Sequence, residues 1–143
     1  MRRALTLAAT PGVPRGPNPR VGCVLLDPTG ATIAEGFHRG AGTPHAEVAA
    51  LVAAGPSARG ATAVVTLEPC AHHGRTPPCT DALLAARVAR VIYAVGDPDP
   101  LVAGRGEAAL RAGGIEVGRN EHARAAVEAQ LAPYLHYRRS GRP

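Results

Sequence analysis

Lysine and tryptophan are absent from this 143-residue chain, and its rings amount to one Phe and three Tyr. Apolar residues still make up 45%, so the core has to be built from Ala, Val, Leu and Ile. Scarce aromatics also leave little for stacking nucleobases, and the 16 Arg are spread along the chain rather than clustered. Nucleic-acid binding is therefore weakly supported; a small anionic substrate suits the net charge of +5 equally well. No apolar run approaches the ~20 residues of a membrane span. The opening MRRALTLAAT is basic and then apolar, but the apolar part is short. Pro11, Pro14, Pro17 and Pro19 follow where a cleavage region would lie, so an amphipathic first helix is expected instead of a signal peptide. No G-x-G-x-x-G follows a predicted strand, so no dinucleotide site is expected.

The chain is long enough for one domain with a real core. Residues 2–9 read as a short helix, with Ala4, Leu5 and Ala8 on one face. A Pro/Gly-rich loop leads into a hairpin, VGCVLLD (21–27) and ATIAEGFH (31–38), turning at DPTG. HAEVAALVAAG (45–55) is an apolar helix closed by Gly55. Buried strands follow at 61–69 and 90–97, with a helix at 79–88 between them. A helix at 107–114, a last strand at 115–119 and a helix at 121–131, ended by Pro133, complete the chain. The order αββαβαβαβα predicts an α/β fold, a three-layer α/β/α sandwich on a five-stranded mixed sheet. Its last three strands are parallel and its hairpin antiparallel. In such sheets sites form at the carboxyl ends of parallel strands, where Cys70 and Asp97 both fall.

Within this frame stand His45, Glu47, Cys70 and Cys79, in TPHAEVAAL and TLEPCAHHGRTPPCT. An H-x-E followed downstream by two P-C pairs is the layout of a zinc deaminase. One imidazole and two thiolates occupy three tetrahedral positions of Zn²⁺ and leave a fourth for water. Glu47 lies two residues from the His, near enough to reach that water without ligating. Taken singly, each residue is as easily a satisfied polar group or a buried thiol; the shared strand-to-helix setting is what joins them. A structural zinc site would want a fourth Cys or His at compact spacing, and none is evident. Cys23, within VGCVLL, reads as a small core residue, and a reducing cytoplasm suits all three cysteines.

The strings PNPRVGCVLLD, EGFHRGAGTPHAEVAAL, TLEPCAHHGRTPPCTDALL and GDPDPLVAGRG closely resemble the deaminase half of the bifunctional riboflavin-biosynthesis deaminase/reductase family (RibD/RibG). The resemblance runs from MRRALTLA to LHYRRSGRP. Its most discriminating piece is the eight-residue stretch between Cys70 and Cys79, where cytidine and tRNA-adenosine deaminases usually have two. The resemblance implies a cytidine-deaminase-like fold. It implies hydrolytic removal of the 2-amino group from 2,5-diamino-6-(ribosylamino)-4(3H)-pyrimidinone 5′-phosphate. His45, Cys70 and Cys79 would hold the zinc and Glu47 would shuttle protons. It further implies Asn18 and His38 against the pyrimidine, His72 and Arg75 at the phosphate, and Asp97 at the ribose.

The residues themselves leave some alternatives open. Arg75 suits bidentate phosphate binding but is equally a solvated loop arginine. Asn18, between two prolines, is also a turn former. His73 reads as packed behind the site, and Glu68 as a carboxylate that fixes a loop. Ala71 stands where the family often has Ser, and Asp99 replaces a frequent Asn beside a phosphate-bearing ligand. Residues 132–143 resemble the junction into the family's reductase half, of which these 143 residues themselves carry none. A modest core makes burial against further copies of the chain a source of stability, so a homo-oligomer is expected through the helices at 79–88 and 107–112. The rival functions are another nucleobase or nucleotide deaminase of this fold, a non-catalytic zinc module and an RNA-editing enzyme. The eight-residue gap, Glu47 and the lack of a basic or aromatic groove speak against them in turn.

Overall fold

The structure is a computed structural model that describes residues 1–10, 19–39, 43–71, 77–98 and 103–140, the last four by their backbone. In chain order the elements are α1 (Arg2–Ala8), β1 (Gly22–Leu26), β2 (Thr32–Phe37), α2 (Ala46–Ala54), β3 (Thr62–Leu67) and α3 (Cys79–Ala85). They continue as β4 (Arg90–Val95), α4 (Arg105–Ala112), β5 (Glu116–Arg119), α5 (Arg124–Gln130) and α6 (Ala132–Ser140). Short 3₁₀ turns close α2 at Gly55–Ala58 and precede α5 at Glu121–Ala123.

The sheet runs β2-β1-β3-β4-β5. Strand β1 is antiparallel to both β2 and β3, while β3, β4 and β5 are mutually parallel. This is the five-stranded mixed sheet expected from the sequence. TAVVTL in β3 is almost wholly buried, as a central strand covered on both faces must be. Helices α1 and α5 lie on one face, where Gln130 Nε2 donates to the Leu5 carbonyl at 2.8 Å. Ala4 and Leu7 of α1 pack there against Val24. Helices α2, α3 and α4 form a continuous layer on the other face. Leu83 of α3, Leu110 of α4 and Val127 of α5 are fully buried, with Val65, Val91 and Tyr93 of the sheet between them.

One glycine decides how closely α2 approaches the sheet. A Cβ at Gly36 would overlap the Ala46 carbonyl oxygen and sit 2.6 Å from Ala50 N. The bare backbone of β2 therefore lets the first two turns of α2 lie directly on the sheet. Those turns carry Glu47, so this contact sets its depth.

Three elements differ from expectation. Helix α3 stops at Ala85 instead of continuing to 88, because Arg87 takes a left-handed conformation (φ 58°). Its N–H closes on the Leu84 carbonyl at 3.1 Å, and the turn delivers Val88 into the core. Helix α4 begins at Arg105, two residues early, for a reason that lies in the site. Pro133 does not end the helical region: it falls in the first turn of α6, where its missing N–H has no partner to lose.

Because β1 opposes its neighbours, the start of β1 and the ends of β2, β3 and β4 meet at one edge. His38 follows β2, residues 68–71 follow β3, and Gly96 and Asp97 follow β4. The N-termini of α2, α3 and α4 return to the same edge.

Candidate metal centre and its surroundings

Buried Pro69 follows β3 and ends its ladder, since proline has no N–H to contribute. Cys70 comes next and leaves the sheet at the shared edge. Pro78, in an extended conformation, precedes Cys79, the first residue of α3. His45 occupies the N-cap position of α2 (φ −66°, ψ 161°) and makes no capping hydrogen bond with its side chain. Its imidazole faces the two sulfurs instead. His45 Nδ1 lies 3.1 Å from Cys79 Sγ and 3.7 Å from Cys70 Sγ. The three donor atoms all fall within 4.8 Å of one another.

Tetrahedral zinc with bonds of ~2.0 Å to nitrogen and ~2.3 Å to sulfur would space its ligand atoms about 3.5–3.8 Å apart. The two N···S spacings, 3.1 and 3.7 Å, fall on either side of the ~3.5 Å that such bonds give for nitrogen and sulfur, and one nitrogen with two sulfurs is a donor set suited to zinc. The protonation pattern agrees. The Cys70 thiol is held well below the ordinary thiol range because Cys79 and His45 hydrogen-bond its sulfur. Cys79 is pushed well above that range by the same pairing and by burial. Without a cation the pair keeps one proton, and a dication would allow both to ionise. Cys70 Sγ also accepts the Cys79 N–H at 3.2 Å, at the positive end of α3. Hydrogen bonding to Cys70 raises the pKa of His45.

Glu47 sits in the first turn of α2, only 4% exposed. It is a hydrogen-bond neighbour of the Cys79 thiol but not a member of the three-ligand group. Burial, the dominant cause, pushes its carboxyl up to about 7. Near neutral pH such a group can both accept and donate a proton.

His38 is buried, and its Nδ1–H donates to the Pro44 carbonyl at 3.1 Å. Its ring meets that of His45 edge-on, with centroids 5.1 Å apart. It therefore braces the His45 ring, and desolvation lowers its own pKa. Asp97 lies at the end of β4, where its Oδ2 accepts from Tyr134 Oη at 3.3 Å. Asn18, His72, His73, Arg75 and Asp99 lie outside the described residues. The structure thus gathers His38, His45, Glu47, Cys70 and Cys79 into one site and places Asp97 on the same edge.

Glu68 is a loop-fixing carboxylate, as expected. Its Oε1 accepts the N–H groups of Asp97 (3.1 Å) and Gly104 (3.2 Å), and its Oε2 that of Glu107 (3.1 Å). Gly104 is the N-cap of α4 and has no side chain to cap with. Glu68 supplies the cap from the segment that follows β3, which is why α4 starts earlier than its own sequence indicates. Tyr134 was missed because it belongs to a helix that Pro133 concealed. Thr80, whose N–H donates to the Cys70 carbonyl at 3.1 Å, left no sequence signal.

Residues 1–95 match the family described as the cytidine and deoxycytidylate deaminase zinc-binding region. The chain is 58% identical over 117 residues to the riboflavin biosynthesis protein RibD of Escherichia coli, a match covering 82% of this chain and 32% of that protein. Among solved structures, RibD of Acinetobacter baumannii superposes with a TM-score of 0.92 at 47% identity, covering 99% of this chain and 40% of that one. A diaminohydroxyphosphoribosylaminopyrimidine deaminase/5-amino-6-(5-phosphoribosylamino)uracil reductase of Thermotoga maritima gives a TM-score of 0.89 at 40% identity, covering 100% and 41%. The chain spans about a third of the length of the curated relatives it matches.

Proposed function

Since this chain belongs to the cytidine and deoxycytidylate deaminase zinc-binding family, we propose that it is a zinc-dependent hydrolytic deaminase acting on the diaminopyrimidinone ribotide of riboflavin biosynthesis. The observation that carries the proposal is the meeting of His45 Nδ1, Cys70 Sγ and Cys79 Sγ within 4.8 Å, beside a buried carboxyl held at about 7. The similarity to RibD proteins and the eight residues between Cys70 and Cys79 support the choice of substrate.

His45, Cys70 and Cys79 would hold the zinc, which when bound supplies the Lewis acidity that makes water a nucleophile at neutral pH. Glu47 moves the protons. Its carboxylate takes one from the attacking water and places it on the ring nitrogen next to the amino-bearing carbon. It then carries the second water proton to the departing amine. The C–O bond forms, the C–N bond breaks and ammonia leaves, with no redox change. His38, tethered to Pro44, keeps the His45 ring in place and borders the pyrimidine. Asn18 joins it there, His72 and Arg75 take the phosphate, and Asp97 takes the ribose.

Residues 1–143 form one deaminase unit, and 132–143 lead toward a reductase half or partner that acts on the product. We assign it to the cytoplasm, where its three free cysteines stay reduced, and among the described residues no helix is long and apolar enough to cross a membrane. Self-association remains part of the proposal. Leu83 of α3 and Leu110 of α4 are used in the chain's own core, however, and the exposed large apolar side chain among the described residues is Val52 of α2.

Incubating purified protein with the ribotide, beside cytidine and deoxycytidylate controls, and measuring ammonia tests the function. Release from the ribotide alone is expected; release from cytidine or deoxycytidylate instead would reassign the substrate.

A further inference from the structure

Glu68 does more in this fold than fix a loop, because of where its three donors sit. The N–H of Gly104 belongs to the N-cap of α4 and that of Glu107 to the third residue of the helix. Those two amides are among the ones a helix start leaves unpaired. A local capping residue would satisfy one of them. Here one carboxylate reaches both from the segment that follows β3, and its negative charge faces the positive end of α4. The third amide, Asp97 N–H, belongs to the segment leaving β4. Residues 68 and 96 leave the sheet side by side, since Leu67 pairs with Val95 and Glu68 N–H donates to the Val95 carbonyl at 2.9 Å.

The surroundings are cut to this side chain. A Cβ on Gly96 would stand 3.4 Å from Glu68 Oε1, and one on Gly106 would stand 3.2 Å from its Cγ and overlap the Pro69 carbonyl oxygen. Among the described residues, none of the ion pairs involves Glu68. Its hydrogen bonds there are all to backbone amides. A glutamine could keep the Oε1 pair but would turn an NH₂ donor toward the Glu107 N–H.

We propose that Glu68 is a positioning residue that sets the distance between the metal-binding loop at Cys70 and the Asp97 segment, and through it the fit of the sugar–phosphate end of the substrate. It stands two residues before a ligand on one side and holds the ribose-facing segment and the start of α4 on the other. The inference rests on the deaminase assignment of this edge, with the base at Cys70 and the ribose at Asp97. It predicts that loosening Glu68 weakens binding of the long substrate without disturbing metal or chemistry.

The test uses Glu68→Gln and Glu68→Asp in the zinc-loaded chain, the first keeping length and the second keeping charge. Zinc content should match the unsubstituted protein. Amide hydrogen exchange at Gly104 and Glu107 should accelerate by about tenfold or more, the worth of a hydrogen bond to a charged group. KM for the ribotide should rise by a similar factor, ~10, with kcat little changed and KM for the free pyrimidinone base, which lacks the ribose, unmoved. Zinc loss, or an equal fall in kcat on both substrates, would overturn the proposal by making Glu68 a support of Cys70. Faster exchange with an unchanged KM would overturn it as well. An unsubstituted protein that releases no ammonia from the ribotide would count against the deaminase assignment. The exchange and zinc measurements would then still decide whether Glu68 clasps the two segments.

Discussion

Replacing Glu47 by glutamine separates three roles that a buried carboxyl beside a metal site can have. The side chain keeps its shape and loses its charge and its proton chemistry. Burial raises the carboxyl from 4.5 to about 7, and each pKa unit corresponds to ~1.4 kcal/mol. Keeping the carboxylate ionised above pH 7 therefore costs the metal-free protein about 3 kcal/mol. The sign follows from an acid whose folded value exceeds its unfolded one. Below about pH 4.5 both states are protonated and there is no penalty. The penalty grows as pH rises toward 7 and is complete above it. With zinc removed by chelator and the thiols kept reduced, Glu47→Gln should match the parent protein at pH 4. At pH 8 it should exceed it by about 3 kcal/mol in urea unfolding. The zinc-loaded variant should keep its metal and lose about 10²–10⁴-fold in turnover. Zinc loss would make Glu47 a ligand, near-normal turnover would remove it from the chemistry, and a stability difference independent of pH would refute the desolvation argument.

Cys70→Ser and Cys79→Ser should each lose zinc by metal analysis. Cys23→Ser should retain it and lose about 1–3 kcal/mol, because a hydroxyl would be buried among apolar side chains. Gly36→Ala should cost about 1–3 kcal/mol or prevent folding, since its methyl collides with the backbone of α2. Any folded fraction should show lower turnover, because Glu47 rides on that helix. Arg87→Gly should stabilise the chain by about 1 kcal/mol, relieving a side chain held at φ 58°; an unchanged urea midpoint would mean the turn is not strained. Arg75→Ala should raise KM for the ribotide and spare the dephosphorylated substrate, and equal losses on both would take Arg75 away from the phosphate.

The parts of this molecule that were legible in its sequence are those whose causes are local. His45, Cys70 and Cys79 each sit at a helix start or strand end marked by a neighbouring proline, so the pattern of buried strands was enough to bring them to one edge. The parallel order of β3, β4 and β5 followed from the intervening helices by the handedness of such crossovers. The failures share a different cause. Helix α4 carries no capping residue of its own, and its cap comes from Glu68, 36 residues before Gly104; no window of sequence around residue 104 contains that carboxylate. Arg87 makes a turn normally signalled by glycine, so the shortened α3 had no marker. Pro133 reads as a stop unless it is known to fall in a first turn, which depends on where α5 ends. That error hid Tyr134 and with it the hydrogen bond to Asp97. The candidate ligand cluster was nominated through residue type, whereas the contacts that hold Asp97 in place depend on amides and caps that any residue can supply. For that reason a candidate substrate contact can be nominated from sequence, but the carboxylate that clasps its segment to the start of α4 emerges only when the backbone hydrogen bonds are followed one by one.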